Sequence, residues 1–136
     1  LARILSIDYG LKRCGLAVTD PLQIIVNGLT TVDTKELKDF LINYCKQNEV
    51  EQIILGHPLN MDGSKSAFSE KVEQFKSELQ KYLSAIPIHL FDERKTSEQA
   101  FEIILQSGIG KKKRSDKSLV DKVSAVIILQ KYLGHI

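Results

Sequence analysis

Four acids in this sequence stand where a carboxylate can do chemistry: Asp8, the adjacent Asp92 and Glu93, and Asp121. Asp8 sits at the end of an apolar run, residues 3–9 (RILSIDY), just before a turn at Gly10. A carboxylate at a strand end, beside a turn that admits solvent, can hold a hard divalent cation. An Asp there can equally cap the turn by accepting the amides of Gly10 or Leu11. Asp92-Glu93-Arg94 closes a second short apolar run, residues 87–91 (PIHLF). Strand carboxyl ends are where α/β sheets place their sites. Side chains alternate along a strand, so Asp92 and Glu93 point to opposite faces. One of them then ligates a metal, while the other braces the loop or pairs with Arg94; a solvated loop is the competing reading. Asp121 lies in the largely apolar stretch 120–126 (VDKVSAV). A carboxylate in such a helix is costly unless paired or metal-bound. Ser118 and Asp121 also have capping-box spacing, which would put Asp121 in a first helical turn. A helix starting nearer Ser115 would weaken that reading. A first-turn Asp can also point at the strand ends, so the two roles are compatible.

The chemistry such a set serves is phosphodiester hydrolysis. That reaction needs a nucleophilic water and stabilisation of an anionic transition state, and two divalent ions about 4 Å apart supply both. Mg²⁺ and Mn²⁺ take oxygen ligands, so Asp and Glu are the expected residues. The histidines at 57, 89 and 135 lack zinc-motif spacing. His89 reads as a structural strand histidine, whereas His57, in a loop near the sheet edge, can reach a substrate. Lys111, Lys112, Lys113, Arg114 and Lys117 crowd one short segment just ahead of the Asp121 helix. They either contact phosphates, giving salt-dependent binding, or form a solvated loop. Arg13, shortly past Asp8, carries the same two readings. No aromatic residue lies inside the basic segment, so a stacking platform for single strands is not indicated there.

The elements that must position these residues follow from the pattern. Residues 3–9, 14–19 and 24–32 read as a three-stranded meander, with Gly10 in the first turn and Asp20-Pro21 breaking the second. Asp33 and Thr34 are candidate N-caps, Asp33 with Glu36 at capping-box spacing, for a helix with Leu37, Phe40, Leu41, Tyr44 and Cys45 on one face. Residues 52–56 (QIILG) read as a buried parallel strand. A turn-rich loop, 57–64, precedes a helix over about 66–83 with Phe68, Val72, Phe75, Leu79 and Tyr82 on one stripe. After the strand at 87–91, Thr96 can cap a third helix, Gln99 at capping-box spacing, with Ala100, Phe101, Ile104 and Leu105 inward and Gly108 as its stop. The last helix, roughly 118–133, is apolar almost all round and should pack on the sheet and on other helices. The order predicts an α/β fold: a mixed five-stranded sheet, three strands antiparallel and the rest parallel, with helices on both faces.

The bulk numbers narrow the class. The sequence of 136 residues suits one domain, 1–136, with one core. No apolar run approaches the roughly 18–20 residues needed to span a bilayer, and the opening reads as a strand rather than a signal peptide. Cys14 and Cys45 lack disulfide or metal spacing, consistent with a reduced, cytoplasmic protein. The net charge of +2 is too small to establish a nucleic-acid partner by itself.

Together these residues carry a family resemblance. Ile7-Asp8-Tyr9-Gly10, Arg13, Gly15-Leu16-Ala17-Val18 and Asp20 look like the first motif of the YqgF (RuvX) family. Gly56, Pro58-Leu59-Asn60-Met61-Asp62-Gly63-Ser64 resembles the second, and Asp92-Glu93-Arg94 with Thr96 the third. Val120-Asp121, Ile128-Leu129-Gln130 and Tyr132-Leu133 resemble the C-terminal helix. The match is collinear over nearly the whole chain. Small departures are Ser6, where the family often has Gly, Ser124, where it often has Ala, and His57. The resemblance implies a ribonuclease-H-like fold, related to the RuvC resolvases. It implies a metal-dependent endonuclease that matures the 5′ end of precursor 16S ribosomal RNA, in ribosome biogenesis. By position, the metal-binding acids would be Asp8, Asp121 and either Glu93 or Asp92. Glu93 is the leading choice, with Asp92 in support and Mg²⁺ or Mn²⁺ as cofactor. Arg13, Arg94, Lys111, Lys112, Lys113 and Arg114 would contact nucleic-acid phosphates.

Two other functions fit the residues. One is a Holliday junction resolvase acting on branched DNA, which would favour a dimer because two strands are cut symmetrically. The other is a non-catalytic RNA-binding assembly factor on ribosomal particles, with the basic segment but no metal. An actin-like ATPase shares the strand–Asp–Gly opening but needs two such domains. The sequence leaves monomer and weak homodimer both open.

Overall fold

The computed structural model describes residues 1–94, 99–100, 102–103 and 117–136. The basic run Lys111, Lys112, Lys113 and Arg114 lies outside the described residues. So do Thr96, Phe101, Ile104, Leu105 and Gly108 of the expected third helix.

Five strands form: β1 Arg3–Asp8, β2 Arg13–Thr19, β3 Val26–Asp33, β4 Val50–His57 and β5 Ile88–Asp92. Their order across the sheet is β3-β2-β1-β4-β5. β1 and β2 pair antiparallel, as do β2 and β3. β1 and β4 pair parallel, as do β4 and β5. This is the expected mixed sheet, and the parallel strands need helices to carry the chain back. The helices described in full are α1 Leu37–Gln47, α2 Ala67–Tyr82 and α3 Lys117–Tyr132. Residues 99–100 and 102–103 are helical too. No helix among the described residues is long and apolar enough to cross a membrane.

Strand parity divides the core in two. Leu5 and Ile7 of β1, Leu16 and Val18 of β2, and Ile53 and Leu55 of β4 pack with Leu37 and Leu41 of α1 and Val72 and Leu79 of α2. Ile4, Ala17 and Ile54 face the other way, against Ala125, Ile128 and Leu129 of α3. The sheet therefore carries α1 and α2 on one face and α3 on the other. The second layer depends on small residues. Ser6 is fully buried, and its hydroxyl donates to the Ala125 carbonyl at 2.7 Å. A Ser at position 6 is thus accommodated by a helix carbonyl. Ser124, also fully buried, has no hydrogen-bond partner for its hydroxyl among the described residues.

Two capping expectations change. Asp33 makes no side-chain cap, and a 3₁₀ turn, Thr34–Glu36, precedes α1. The Thr34 hydroxyl instead donates to the Gly10 carbonyl at 2.6 Å, with its amide on the Lys12 carbonyl. Thr34 therefore secures the turn that follows Asp8. At α2, Ser66 accepts the Ser69 amide while Ser69 accepts the Ser66 amide, a reciprocal capping box.

Candidate active site

Parity also sorts the acids. Ile4, Ser6 and Asp8 alternate on β1, and the first two face α3, so Asp8 faces α3 as well. On β5, Phe91 packs toward α3, its ring edge-on to Tyr132. Glu93, two residues on, follows Phe91. Asp92 takes the opposite face, as its strand neighbour His57 does. His57 Nε2 lies 2.9 Å from Glu73 Oε2 of α2.

Asp8 and Glu93 consequently meet. Their side chains are hydrogen-bonded to each other, and both are partly buried. Burial pushes Asp8 up, to about 6, against the hydrogen bond from Glu93; the charge of Asp121 raises it further. Burial also pushes Glu93 up, more strongly, with the Asp8 charge and hydrogen bond adding to it. Two buried carboxyl groups in hydrogen-bond contact favour keeping one proton between them. Gly56 makes room for it. A Cβ there would stand 2.5 Å from Glu93 Oε2 and 2.9 Å from Ile128 Cδ1.

Asp121 closes the third side. Residue Lys117 is already helical, so Ser118 lies inside α3 and Asp121 stands beyond its first turn. The capping-box reading of Ser118 and Asp121 does not hold. The Asp121 carboxylate instead accepts from Arg13 Nε at 2.8 Å, and its charge is felt at Asp8. The approach of α3 to β2 is very close. A Cβ on Gly15 would lie 2.0 Å from the Asp121 carbonyl oxygen and 2.7 Å from the Lys122 nitrogen. Gly15 pairs directly with Asp8 across the β1–β2 ladder. That glycine lets the Asp121 turn settle beside Asp8. It was visible in the sequence as a small residue inside an apolar strand, and its role was missed.

The other expected site residues fall elsewhere. Asp92 pairs with Arg94, Nη2 to Oδ2 at 2.6 Å, and that hydrogen-bonded guanidinium holds its carboxyl below the usual carboxylate value. Arg94 Nη1 also donates to the Met61 carbonyl at 3.1 Å. Asp92 and Arg94 thus tie the strand end to the 57–64 loop. Arg13 is engaged with Asp121, so its contact is to an acid of the site. Asp20, in the first motif, accepts the amides of Leu22, Ile24 and Ile25 and shapes the β2–β3 turn.

The donor set fits a hard cation in type: two carboxyls converge, and a bound cation would replace their shared proton. Among the described residues, no cluster of three or more His, Cys, Asp and Glu side chains is arranged to hold a metal ion. Two acids therefore form the nucleus, and the third is held next to them by Arg13.

A family model described as "RuvX: Holliday junction resolvase" matches residues 2–135. This chain belongs to the RuvX family. Among RuvX relatives, a protein of Porphyromonas gingivalis is 53% identical over 135 residues, covering 99% of this chain and 98% of its own. One of Phocaeicola vulgatus is 50% identical over 133 residues, covering 98% and 96%. Both bear the name "Putative pre-16S rRNA nuclease". As a RuvX member the chain is a nuclease, a hydrolase of ester bonds. Its fold is ribonuclease-H-like. The Thermus thermophilus RuvC solved in complex with a Holliday junction substrate superposes with a TM-score of 0.59 at 14% identity, covering 98% of this chain and 97% of that one. A second RuvC structure gives 0.52 at 11% identity, covering 97% and 96%.

Proposed function

We propose that this chain is a metal-dependent endonuclease that hydrolyses phosphodiester bonds at the 5′ end of precursor 16S ribosomal RNA. The observation that carries the reading is the meeting of Asp8 and Glu93 on the α3 face of the sheet, with Asp121 brought beside them over Gly15. Asp8 and Glu93 would hold Mg²⁺ or Mn²⁺, and Asp121 would complete the set. Such a cation supplies an activated water and neutralises charge on the leaving oxygen. Arg13 orients Asp121, and Asp92 with Arg94 fixes the strand end that carries Glu93. Lys111, Lys112, Lys113 and Arg114 would meet backbone phosphates. Residues 1–136 would act as one cytoplasmic domain, monomeric or weakly dimeric, on precursor RNA free or in ribosomal particles. The names borne by relatives about half identical over nearly their full length support this substrate.

The family description favours a second reading, resolution of four-way DNA junctions. Cleavage of a precursor RNA and a four-way junction, side by side with Mg²⁺ and with Mn²⁺, separates the two. Asp8→Asn should abolish cleavage of the true substrate while leaving the fold and nucleic-acid binding in place. Wild-type rates from the purified variant would defeat the assignment.

A further inference from the structure

Next to the acids lies a cleft of about 430 Å³, lined by Gly10, Leu11, Lys12, Arg13, Phe68 and Asp121. One side of Phe68 packs against the core on the α1/α2 face of the sheet, and its remaining surface opens on the cleft. Leu11 is 66% exposed at the tip of the turn, where an apolar side chain gains nothing from the core. Phe68 is partly exposed, with Tyr9 packed beside it at a ring separation of 6.2 Å. Tyr9 is in turn 5.0 Å from Phe75, so the Phe68 ring is backed by aromatics. Lys12 is exposed and has no ion pair among the described residues. Arg13 is neutralised by Asp121.

This is a flat aromatic and an aliphatic side chain with one available cation at the rim, beside acids proposed to cut a nucleic-acid strand. We infer that the cleft takes one unpaired nucleotide of the substrate, its base against Phe68 and Leu11 and its phosphate toward Lys12. The inference rests on the nuclease reading given above. The Arg13–Asp121 pair on the wall offers a phosphate no free cation, which leaves Lys12 for the phosphate and the Phe68 side for the base. A base in a duplex is stacked on its neighbours and cannot reach such a cleft, whereas single-stranded RNA is recognised by splaying bases onto aromatic side chains. The stacking residue sits on α2, far in sequence from the basic segment. Specificity for a single-stranded stretch then lies in the β1–β2 turn and the start of α2, with Asp121 shared between the cleft and the hydrolytic acids.

The test uses the full chain carrying Asp8→Asn, so that bound RNA is not cut. The probes are a short unstructured RNA containing a fluorescent purine analogue and the same RNA in a perfect duplex. Phe68→Leu keeps an apolar contact for Tyr9 but removes the stacking face. It should weaken single-strand binding by about 5- to 100-fold and abolish quenching of the analogue, with duplex binding unchanged. Phe68→Trp should restore both. Lys12→Gln should weaken single-strand binding and lower its logarithmic salt slope by about 0.7. Unchanged single-strand affinity in Phe68→Leu, or an equal loss on duplex, overturns the cleft assignment. If the wild type still cleaves in that case, the nuclease reading stands alone. If the wild type neither binds nor cuts any nucleic acid, both fall.

Discussion

Gly15→Ala isolates the contact that sets Asp121 beside Asp8. The added Cβ would lie 2.0 Å from the Asp121 carbonyl oxygen and 2.2 Å from its carbon. Both are backbone atoms of a helix, so no side chain can swing aside. Reaching even a 3.0 Å contact requires α3 to retreat by 1.0 Å, from 3.0 − 2.0. Overpacking on this scale costs about 1–3 kcal/mol of stability. A misplacement of about 1 Å at a catalytic group costs on the order of 100-fold in rate. Gly28→Ala is the matched control. It also adds a methyl under α3, but its nearest atoms belong to the Lys122 side chain, with Cγ at 2.8 Å. The clash is with side-chain rather than backbone atoms, so a change of Lys122 rotamer can relieve it, and the rate should fall much less than in Gly15→Ala. The assay is single-turnover cleavage at saturating metal, beside urea denaturation. Gly15→Ala should remain folded and lose about 100-fold in rate. A folded Gly15→Ala with wild-type turnover would refute the claim that the β2–α3 approach sets the site.

Three further outcomes follow from the site and its helix. Because Glu93 and Asp8 have raised pKa values, the folded state without metal binds more protons than the unfolded one above the ordinary carboxylate range, and these acids cost stability as pH rises. Glu93→Gln should therefore raise the chelator-treated protein's urea midpoint at pH 8, with the gain shrinking toward pH 4.5; a lower midpoint at pH 8 would contradict it. Loading with Mn²⁺ should release protons, and affinity should climb as pH rises through about 6, where Asp8 ionises. Calorimetry in buffers of different ionisation enthalpy reads this directly, and heats independent of buffer would count against a shared proton. Ser124→Ala removes a buried hydroxyl that has no partner among the described residues and should stabilise the chain by about 1 kcal/mol in urea; destabilisation would mean that the hydroxyl is satisfied in solution.

Much of this architecture was legible because two periodicities carry it. Short apolar runs at residues 3–9 and 52–56 mark buried strands, and strand alternation sorts the side chains they carry. That alternation predicts that only one of Asp92 and Glu93 can join Asp8, without saying which. Choosing Glu93 needed the direction of a neighbour: Phe91 faces α3 through Tyr132, and that pairing is tertiary. Asp121 was ambiguous for a related reason, since Ser118 has cap spacing whether or not the helix begins earlier. Asp33 misled because the 3₁₀ turn draws Thr34 toward Gly10, a partner 24 positions away. That Arg13 also pairs with Asp121 was not legible, because one sequence cannot show a partner 108 positions distant. The basic run at 111–114 lies outside the described residues and stays an expectation.

The Ser6–Ala125 bond spans 119 positions, and the Arg13–Asp121 pair 108. Hairpins and strand–helix–strand units can close over short loops, but α3 must find β1 and β2 from the far end of the sequence. Long closures are slow and carry the largest entropy cost. Docking of α3 is the longest-range closure in the fold, and it is what brings Asp121 to the two acids of the sheet, Asp8 and Glu93. A chain with its sheet built but its last helix adrift would hold two of the three acids and lack Asp121, so the full set arrives with the closing long-range contact.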